Sequence, residues 1–385
     1  MTQGLCTPCH DHDVDHLLSP YGAVLLASFG GPNGPDEVMA FLRRVAAGTG
    51  VPEARLTAVA EHYYARGGVS PINAANQALR AALADELTRR GVPVPVVCGN
   101  RNAPPEYDDA LDAAAQAGAD RVLALVTSAF ASYSGCRQYR EDFAAVLVGR
   151  DMVLDKVRAF FNHPGFVEAN TDVLVAACAE LGQVDRVVFV THSLPLAMQD
   201  ASTVCAPGYV AQHLDVAAQV AAGAAGRLGV ADLPWDLAYC SRSGPPRQPW
   251  LEPDVNDHLV ALAADGVRRV VLVPVGFLCD HMEVVNDIDT DAVATAHAHG
   301  MTVVRAPTVG THPAFVAGLV DLLLERAAAE RARGAGTAVP DPVRVGPLPA
   351  LPDRCPPDGC RREAGVGSGR PAACTVDVDR PPHTP

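Results

Sequence analysis

Short apolar runs alternate with amphipathic stretches from Tyr21 to about Glu330, and this alternation constrains the fold more than any other feature. Continuous apolar runs that are separated by helices predict a parallel sheet covered on both faces. The predicted strands are 23–28, 94–98, 121–127, 186–191, 236–240, 268–274 and 302–305. The predicted helices are 36–46, 73–90, 105–117, 165–181, 209–228, 254–264, 280–299 and 313–331. We therefore expect an α/β protein.

The two halves of this pattern repeat each other. Residues 118–127 resemble residues 266–274, and residues 24–32 resemble residues 187–195. At 385 residues the chain is also longer than one ordinary domain. We predict two similar doubly wound domains with parallel sheets, at residues 21–160 and 165–330. Residues 1–20 and 334–385 lack the periodicity and are predicted to be disordered tails.

The composition limits the class of protein. Hydrophobic residues make up 49% of the chain, which supports a globular fold, and no apolar run reaches the length of a membrane span. Residues 1–15 contain no visible signal peptide, so a cytoplasmic location is expected. A net charge of -14 argues against nucleic-acid binding. No GxGxxG motif or phosphate loop follows the first strand, which argues against a nucleotide cofactor.

A row of carboxylates follows the predicted strand 268–274. If residues 280–299 form an α-helix, then Asp280, Glu283, Asp287 and Asp291 share one face. No Lys or Arg lies between Arg269 and Arg305 to balance them. One interpretation is a solvated acidic surface near a helix N-terminus, favoured by the helix dipole. The other is a track that handles a divalent cation or carries protons.

A histidine occupies the corresponding position after an earlier strand. His192 directly follows the predicted strand 186–191, where a histidine is commonly structural. In parallel sheets, however, ligands bind at the carboxyl ends of strands, and Glu283 follows an equivalent strand end. An imidazole and a carboxylate together would bind Fe²⁺ or Zn²⁺ weakly, and either group can act as a base. Because the chain has no HExxH motif, a hydrolytic zinc site is disfavoured.

The 11 cysteines do not form a disulfide framework if the chain is cytoplasmic. Residues 6–10 read CTPCH, which has the form of a c-type haem attachment site, but that modification belongs to exported proteins. Adventitious metal binding and a plain disordered tail are the other interpretations of this segment. A second group, Cys355, Cys360 and Cys374, lies in the predicted C-terminal tail.

Six motifs in order resemble those of the ferrochelatases, which insert Fe²⁺ into a porphyrin. They are residues 25–32 (LLASFGGP), 64–71 (YARGGVSP), 127–139, 192–195 (HSLP), 239–251 and 274–291. Each motif is weak by itself, whereas six in family order are specific. The resemblance implies two Rossmann-like domains with the porphyrin in the cleft between them. It is strongest to the coproporphyrin III ferrochelatases of high-GC Gram-positive bacteria.

The resemblance assigns roles to the metal-handling residues. His192 matches the family's histidine at the metal or pyrrole side of the ring, and Glu283 matches its partner glutamate across the ring. Asp287 and Asp291 match the acidic residues that lead away from the ring. Metal insertion requires two pyrrole protons to leave while hydrated Fe²⁺ sheds its water, which a base and an oxygen-rich path would serve. Which of His192 and Glu283 first holds Fe²⁺, and which takes protons, stays open.

The resemblance also assigns the porphyrin pocket. Ser70 and Tyr139 match residues that line the pocket. Some bacterial members carry a tyrosine, available as an axial iron ligand, where this chain has Phe29, and Phe29 can pack against the ring but cannot ligate iron. Candidate arginines for the porphyrin carboxylates are Arg43, Arg66, Arg137 and Arg140. Arginine supplies nearly all basic residues, since Lys156 is the one lysine, and a GC-rich genome accounts for this bias.

Four cysteines resemble the ligands of the family branch that carries a [2Fe–2S] cluster. In that branch one internal cysteine joins three near the C-terminus, which here implies Cys136 with Cys355, Cys360 and Cys374. Four thiolates are the usual ligands of such a cluster. The match is loose after Cys360, where Arg361 and Arg362 stand in place of a further cysteine.

The expected function is therefore insertion of Fe²⁺ into coproporphyrin III in haem synthesis, with Fe²⁺ and the porphyrin as the substrates. Transient contact with neighbouring enzymes of the same pathway is also expected. The alternatives are a ferrochelatase for protoporphyrin IX, a cobalt or nickel chelatase for a sirohydrochlorin-type ring, and a porphyrin or haem carrier without activity.

Overall fold

The computed structural model describes residues 16–48, 50–204, 207–244, 247–362 and 370–376. The strands are β1 (Ala23–Ser28), β2 (Val96–Asn100), β3 (Arg121–Val126), β4 (Val153–Lys156), β5 (Arg186–His192), β6 (Trp235–Cys240), β7 (Arg269–Val273) and β8 (Thr302–Arg305). The α-helices are α1 (Pro35–Val45), α2 (Glu53–Tyr64), α3 (Ile72–Arg89), α4 (Tyr107–Gln116), α5 (Gln138–Val146), α6 (Pro164–Leu181), α7 (Leu196–Ser202), α8 (Tyr209–Leu228), α9 (Val255–Ala264), α10 (Val293–Ala298) and α11 (Pro313–Gly334). Two segments are π-helices, Tyr133–Arg137 and Val284–Ala292.

The strands form two parallel sheets with the same order. The first half of the chain gives β2-β1-β3-β4 and the second half gives β6-β5-β7-β8. Strand β1 is buried along its whole length, as its continuous apolar sequence predicts. In each sheet the chain crosses from one side of the strand that comes first in sequence, β1 or β5, to its other side. This crossing leaves a crevice at the carboxyl ends of the strands. The predicted α/β class with two doubly wound parallel sheets is confirmed.

One apolar core runs through both halves. Leu26 and Leu83 of the first half belong to the same buried cluster as Val187 and Leu323 of the second. Helix α11 packs on both α3 and α6, so it forms the seam between the sheets. Polar contacts reinforce this seam, since the Arg90 guanidinium donates to the Ala317 carbonyl at 3.1 Å. This shared packing therefore positions the strand ends of one sheet relative to those of the other.

Several elements differ from the predicted ones. Strand β4, the helices α2, α5 and α7, and the π-helix Tyr133–Arg137 were not predicted. The predicted helix 280–299 begins later than predicted, and its residues Val284–Ala292 form a π-helix. Within the described ranges, every helix is too short or too polar to cross a bilayer.

The C-terminal segment after α11 has no helix or strand in its described part, as its composition predicts, yet it packs on the body. The Val345 amide donates to the Asn162 carbonyl at 2.9 Å, and the Asn162 side chain donates to the Leu348 carbonyl at 3.1 Å. Cys355 and Thr375 form an isolated β-bridge. Residues 1–15, which include the CTPCH segment, lie outside the described residues.

Candidate active site

A histidine and a glutamate meet at the strand ends of the second sheet. His192 is the last residue of β5, and Glu283 precedes the π-helix Val284–Ala292 in the segment after β7. The His192 Nδ1 atom bonds the Ser193 carbonyl, which leaves Nε2 directed at Glu283. The distance from His192 Nε2 to Glu283 Oε1 is 3.4 Å, and the two side chains are 30% and 46% exposed. The sequence prediction that these residues come together is met in the geometry.

Each charge of this pair stabilises the ionised form of the other side chain. Burial acts to lower the pKa of His192, but the Glu283 carboxylate outweighs it and raises the pKa to about 9. Burial acts to raise the pKa of Glu283, and His192 outweighs it and lowers the pKa to about 2. The ligand-free pair is therefore an imidazolium beside a carboxylate at neutral pH. A second histidine, His281, accepts a bond from the Glu283 amide at 3.2 Å, and burial lowers the pKa of its ring.

The π-helix that follows Glu283 contains two more carboxylates of the predicted row, Asp287 and Asp291. Asp287 accepts a hydrogen bond from Ser241, whose backbone has a φ of 64° just beyond β6. The Asn286 amide donates to Asp287 at 3.1 Å and to Asp291 at 3.4 Å, so one side chain ties both together. Burial raises the pKa of Asp287. A π-helix is rare and occurs frequently at functional sites.

The predicted face of four carboxylates is wrong at Asp280. This residue lies before the helix, and its carboxylate accepts from Arg305 of β8 at 3.2 Å and from Thr308 at 3.0 Å. Arg305 also pairs with Asp289 of the π-helix at 2.7 Å. Asp280 leaves the predicted row because Arg305, which is distant in sequence, neutralises it together with Asp289. The acidic row that remains is Glu283, Asp287 and Asp291.

An aromatic wall from the first half stands near the acidic row. Phe29 follows β1 and is 36% exposed. Its ring packs edge-on against Phe41 at 6.1 Å between centroids, and Phe41 packs against Tyr63 of α2 at 6.0 Å. Burial raises the pKa of Tyr63, and the charges of Glu283 and Asp287 raise it further, so Tyr63 lies within electrostatic range of both carboxylates. The site thus combines an apolar wall with an acidic one.

Arg66 connects these two walls. Its guanidinium donates to the Val285 carbonyl at 3.2 Å and to the Thr290 hydroxyl at 2.5 Å, both on the π-helix. The other arginines named from the sequence are engaged elsewhere. Arg43 pairs with Glu53 at 2.5 Å, and Arg137 and Arg140 are buried.

Ser70 and Tyr139 lie behind the surface of the site. Ser70 is 4% exposed and packs on Gly31, where an added Cβ would come within 2.6 Å of the serine Cβ. Tyr139 is also 4% exposed, with the Arg101 guanidinium 4.0 Å from its ring centre. The structure therefore does not bring these two side chains to the open surface beside His192.

The four candidate cluster cysteines converge on one region. Cys136, Cys355 and Cys360 line a single recess, and Cys374 lies nearby with its thiol 3.4 Å from the Leu154 carbonyl. A hydrogen bond from Cys355 and the charge of Lys156 hold the pKa of Cys136 well below its usual value. Among the described residues, no three His, Cys, Asp or Glu side chains lie close enough together to hold a single metal ion.

Sequence reasoning missed three residues of this site, which are Tyr63, Ser241 and His281. Tyr63 stands one position before the YARGGVSP motif, on a helix that was not predicted. Ser241 follows a predicted strand end, and this position gives a usable signal because strand ends line such sites. His281 lies two residues before Glu283, where proximity in sequence also provides a signal.

Comparison with known proteins identifies the family of this chain. The ferrochelatase family model matches residues 21–327, so the chain belongs to the ferrochelatase family, enzymes that insert ferrous iron into a porphyrin. A coproporphyrin III ferrochelatase of Streptomyces griseus is 46% identical over 374 residues, covering 93% of this chain and 97% of that protein. A coproporphyrin III ferrochelatase of Frankia alni is 50% identical over 318 residues, covering 80% and 81%.

Proposed function

We propose that this chain inserts Fe²⁺ into coproporphyrin III to give coprohaem and two protons. The observation that carries the proposal is the His192–Glu283 pair, 3.4 Å apart, with Asp287 and Asp291 continuing along the π-helix. The relatives named as coproporphyrin III ferrochelatases support this choice of porphyrin because they match over most of the chain. The cytoplasmic location expected from the sequence stays a prediction.

The pair supplies the proton chemistry that metal insertion requires. Two pyrrole N–H protons must leave the ring, and a base within hydrogen-bond distance is the simplest acceptor. Glu283 is ionised at neutral pH and His192 is protonated beside it, so we assign proton acceptance first to Glu283. Asp287, whose pKa is raised, is suited to receive a proton next. Carboxylate oxygens also bind Fe²⁺ weakly enough to release it to the ring.

The aromatic wall of Phe29, Phe41 and Tyr63 is proposed to hold the porphyrin plane. Phe29 is the exposed member and offers its ring for packing, while its lack of an oxygen prevents axial ligation. Ser70 and Tyr139, which are buried, are proposed to shape this wall from behind. Arg66, at the edge of the π-helix, is the arginine best situated to pair with a porphyrin carboxylate.

We also propose that Cys136, Cys355, Cys360 and Cys374 hold a [2Fe–2S] cluster. Three of them line one recess and the fourth lies beside it, and four thiolates are the usual donor set. Such a cluster would tie the C-terminal segment to the body, which otherwise relies on contacts such as those of Asn162.

The proposal is tested by mixing the protein anaerobically with Fe²⁺ and each porphyrin. Coproporphyrin III in excess is expected to be metallated with turnover, and more efficiently than protoporphyrin IX. A shift of the Soret band without turnover would identify a carrier instead. Preference for protoporphyrin IX, or turnover only with Co²⁺ or Ni²⁺ and a sirohydrochlorin-type ring, would replace the proposal by the corresponding alternative.

A further inference from the structure

Two buried cations lie beside the cysteine recess. Lys156, the single lysine of the sequence, is 3% exposed and lines the recess together with Cys136, Cys355 and Cys360. Arg140 is 0% exposed and holds the segment that carries Cys374, because its Nε donates to the Ala373 carbonyl at 2.8 Å. Lysine and arginine side chains are almost never fully buried unless they are paired, so the burial of Lys156 and Arg140 requires a cause.

Neither cation is neutralised by a carboxylate among the described residues. The Lys156 Nζ donates to the Val157 carbonyl at 2.7 Å, and both terminal nitrogens of Arg140 are buried without a hydrogen-bond partner. The carboxylates next to them in sequence pair with other arginines. Glu141 pairs with Arg137 at 3.0 Å, and Asp155 pairs with Arg121 at 2.9 Å.

Burying an unpaired charge is expensive, on the order of several kcal/mol even after the protein relaxes. Arginine cannot escape this cost by losing its proton. Neutral thiols would not compensate two such charges, and a single thiolate would compensate only one of them. Four thiolates, two ferric ions and two sulfides, in contrast, sum to a dianion, which two cations balance.

We propose that Lys156 and Arg140 are the counter-charges of an iron–sulfur cluster held by the four cysteines, and that they set its reduction potential. This inference rests on the cluster proposed above. Reduction adds a further negative charge, so two nearby cations stabilise the reduced form and raise the potential. They also favour the thiolate state that the cysteines must adopt to bind iron.

The test uses the full-length protein, purified anaerobically, with the variants Lys156→Met and Arg140→Met. Iron and acid-labile sulfide are measured, and the midpoint potential is followed by electron paramagnetic resonance during a redox titration. Both variants are expected to hold less iron and sulfide than the unmodified protein, and what remains is expected to titrate at a lower potential. Lys156→Arg, which keeps the charge, should stay close to the unmodified protein.

Arg150→Met is the matched control for net charge. Arg150 pairs with Asp108 at 2.8 Å on the surface, away from the recess, so its loss should change neither cluster content nor potential. If Lys156→Met and Arg140→Met match this control in a protein that holds iron and sulfide, the counter-charge proposal is wrong while the cluster stands. If the unmodified protein holds neither iron nor sulfide, both proposals are wrong.

A second measurement covers the case in which a variant loses the cluster entirely. In the Cys355→Ser chain, which lacks one of the four ligands, the cluster dianion that Lys156 would balance cannot form. Adding Lys156→Met to that chain is expected to raise the melting temperature, because it removes an uncompensated buried charge. A lower melting temperature there would mean that Lys156 has a purely structural role, which would overturn the proposal.

Discussion

Replacing Glu283 by glutamine is the sharpest test of the active site, since it removes one charge and keeps the shape of the side chain. The carboxylate lies 3.4 Å from His192, and no carboxamide can accept a pyrrole proton in its place. General-base catalysis contributes on the order of 10²–10⁴-fold, so kcat should fall by that amount. A loss expressed in the KM for Fe²⁺ instead would assign Glu283 to metal capture. Anaerobic steady-state assays with coproporphyrin III separate the two.

The stability of this variant should hardly change. Both members of the pair keep solvent contact, with 30% and 46% of the side chains exposed, and such pairs contribute about 0–1 kcal/mol. The pKa of His192 should fall from about 9, because the carboxylate that raises it is gone. A nuclear magnetic resonance titration of the imidazole measures that fall directly.

Asp289→Asn is the matched control on the same π-helix. Its carboxylate accepts from Arg305 at 2.7 and 2.9 Å and does not face His192. The expected result is therefore the reverse, a loss of about 1–3 kcal/mol in unfolding free energy with turnover retained. Unchanged turnover in a folded Glu283→Gln protein would refute the mechanism and leave the acidic row as ordinary surface.

The remaining predictions concern the acidic row, acid stability and the C-terminal segment. Asp287→Asn and Asp291→Asn should give milder losses of turnover that lessen as Fe²⁺ rises; losses independent of Fe²⁺ would argue against metal delivery. Burial lowers the pKa of His213 to about 3, so its contribution to stability is complete above about pH 6.5 and is lost as the pH falls toward 3. Denaturant unfolding across that range should show the loss, reduced in His213→Gln. Truncation before Cys355 should remove iron and sulfide yet leave both sheets folded by circular dichroism.

Elements that are buried on both faces could be predicted from sequence. Strand β1 was predicted with its observed bounds because Ala23–Ser28 is almost entirely apolar. The parallel topology then predicts that the carboxyl ends of all strands lie at one edge of the sheet. Strand β4 was missed because Val153–Lys156 carries two charged residues in a four-residue edge strand. Helix α2 was missed because its buried residues, Leu56 and Ala60, make too narrow an apolar stripe.

The site could be predicted as far as it depends on strand ends. His192 ends β5 and Glu283 lies in the segment after β7, so the parallel topology brings them together. The pairing of Asp280 with Arg305 could not be predicted, because it joins residues 25 apart through tertiary packing. The π-helix was beyond prediction as well, since α and π geometries share nearly the same apolar spacing over so short a segment. Tyr63 enters from the other half of the molecule and has no local signal.

The seam formed by α11 has a consequence for how the chain is synthesised. Leu79 and Leu83 of α3 belong to the same buried cluster as Leu319 and Leu323 of α11, some 240 residues later. While the ribosome is still translating the second half, that face of α3 has no permanent cover. Residues 21–160 expressed by themselves would therefore expose an apolar strip and tend to aggregate, although they contain a complete sheet. The nascent first half would depend on chaperones, or stay incompletely folded, until the last helix emerges.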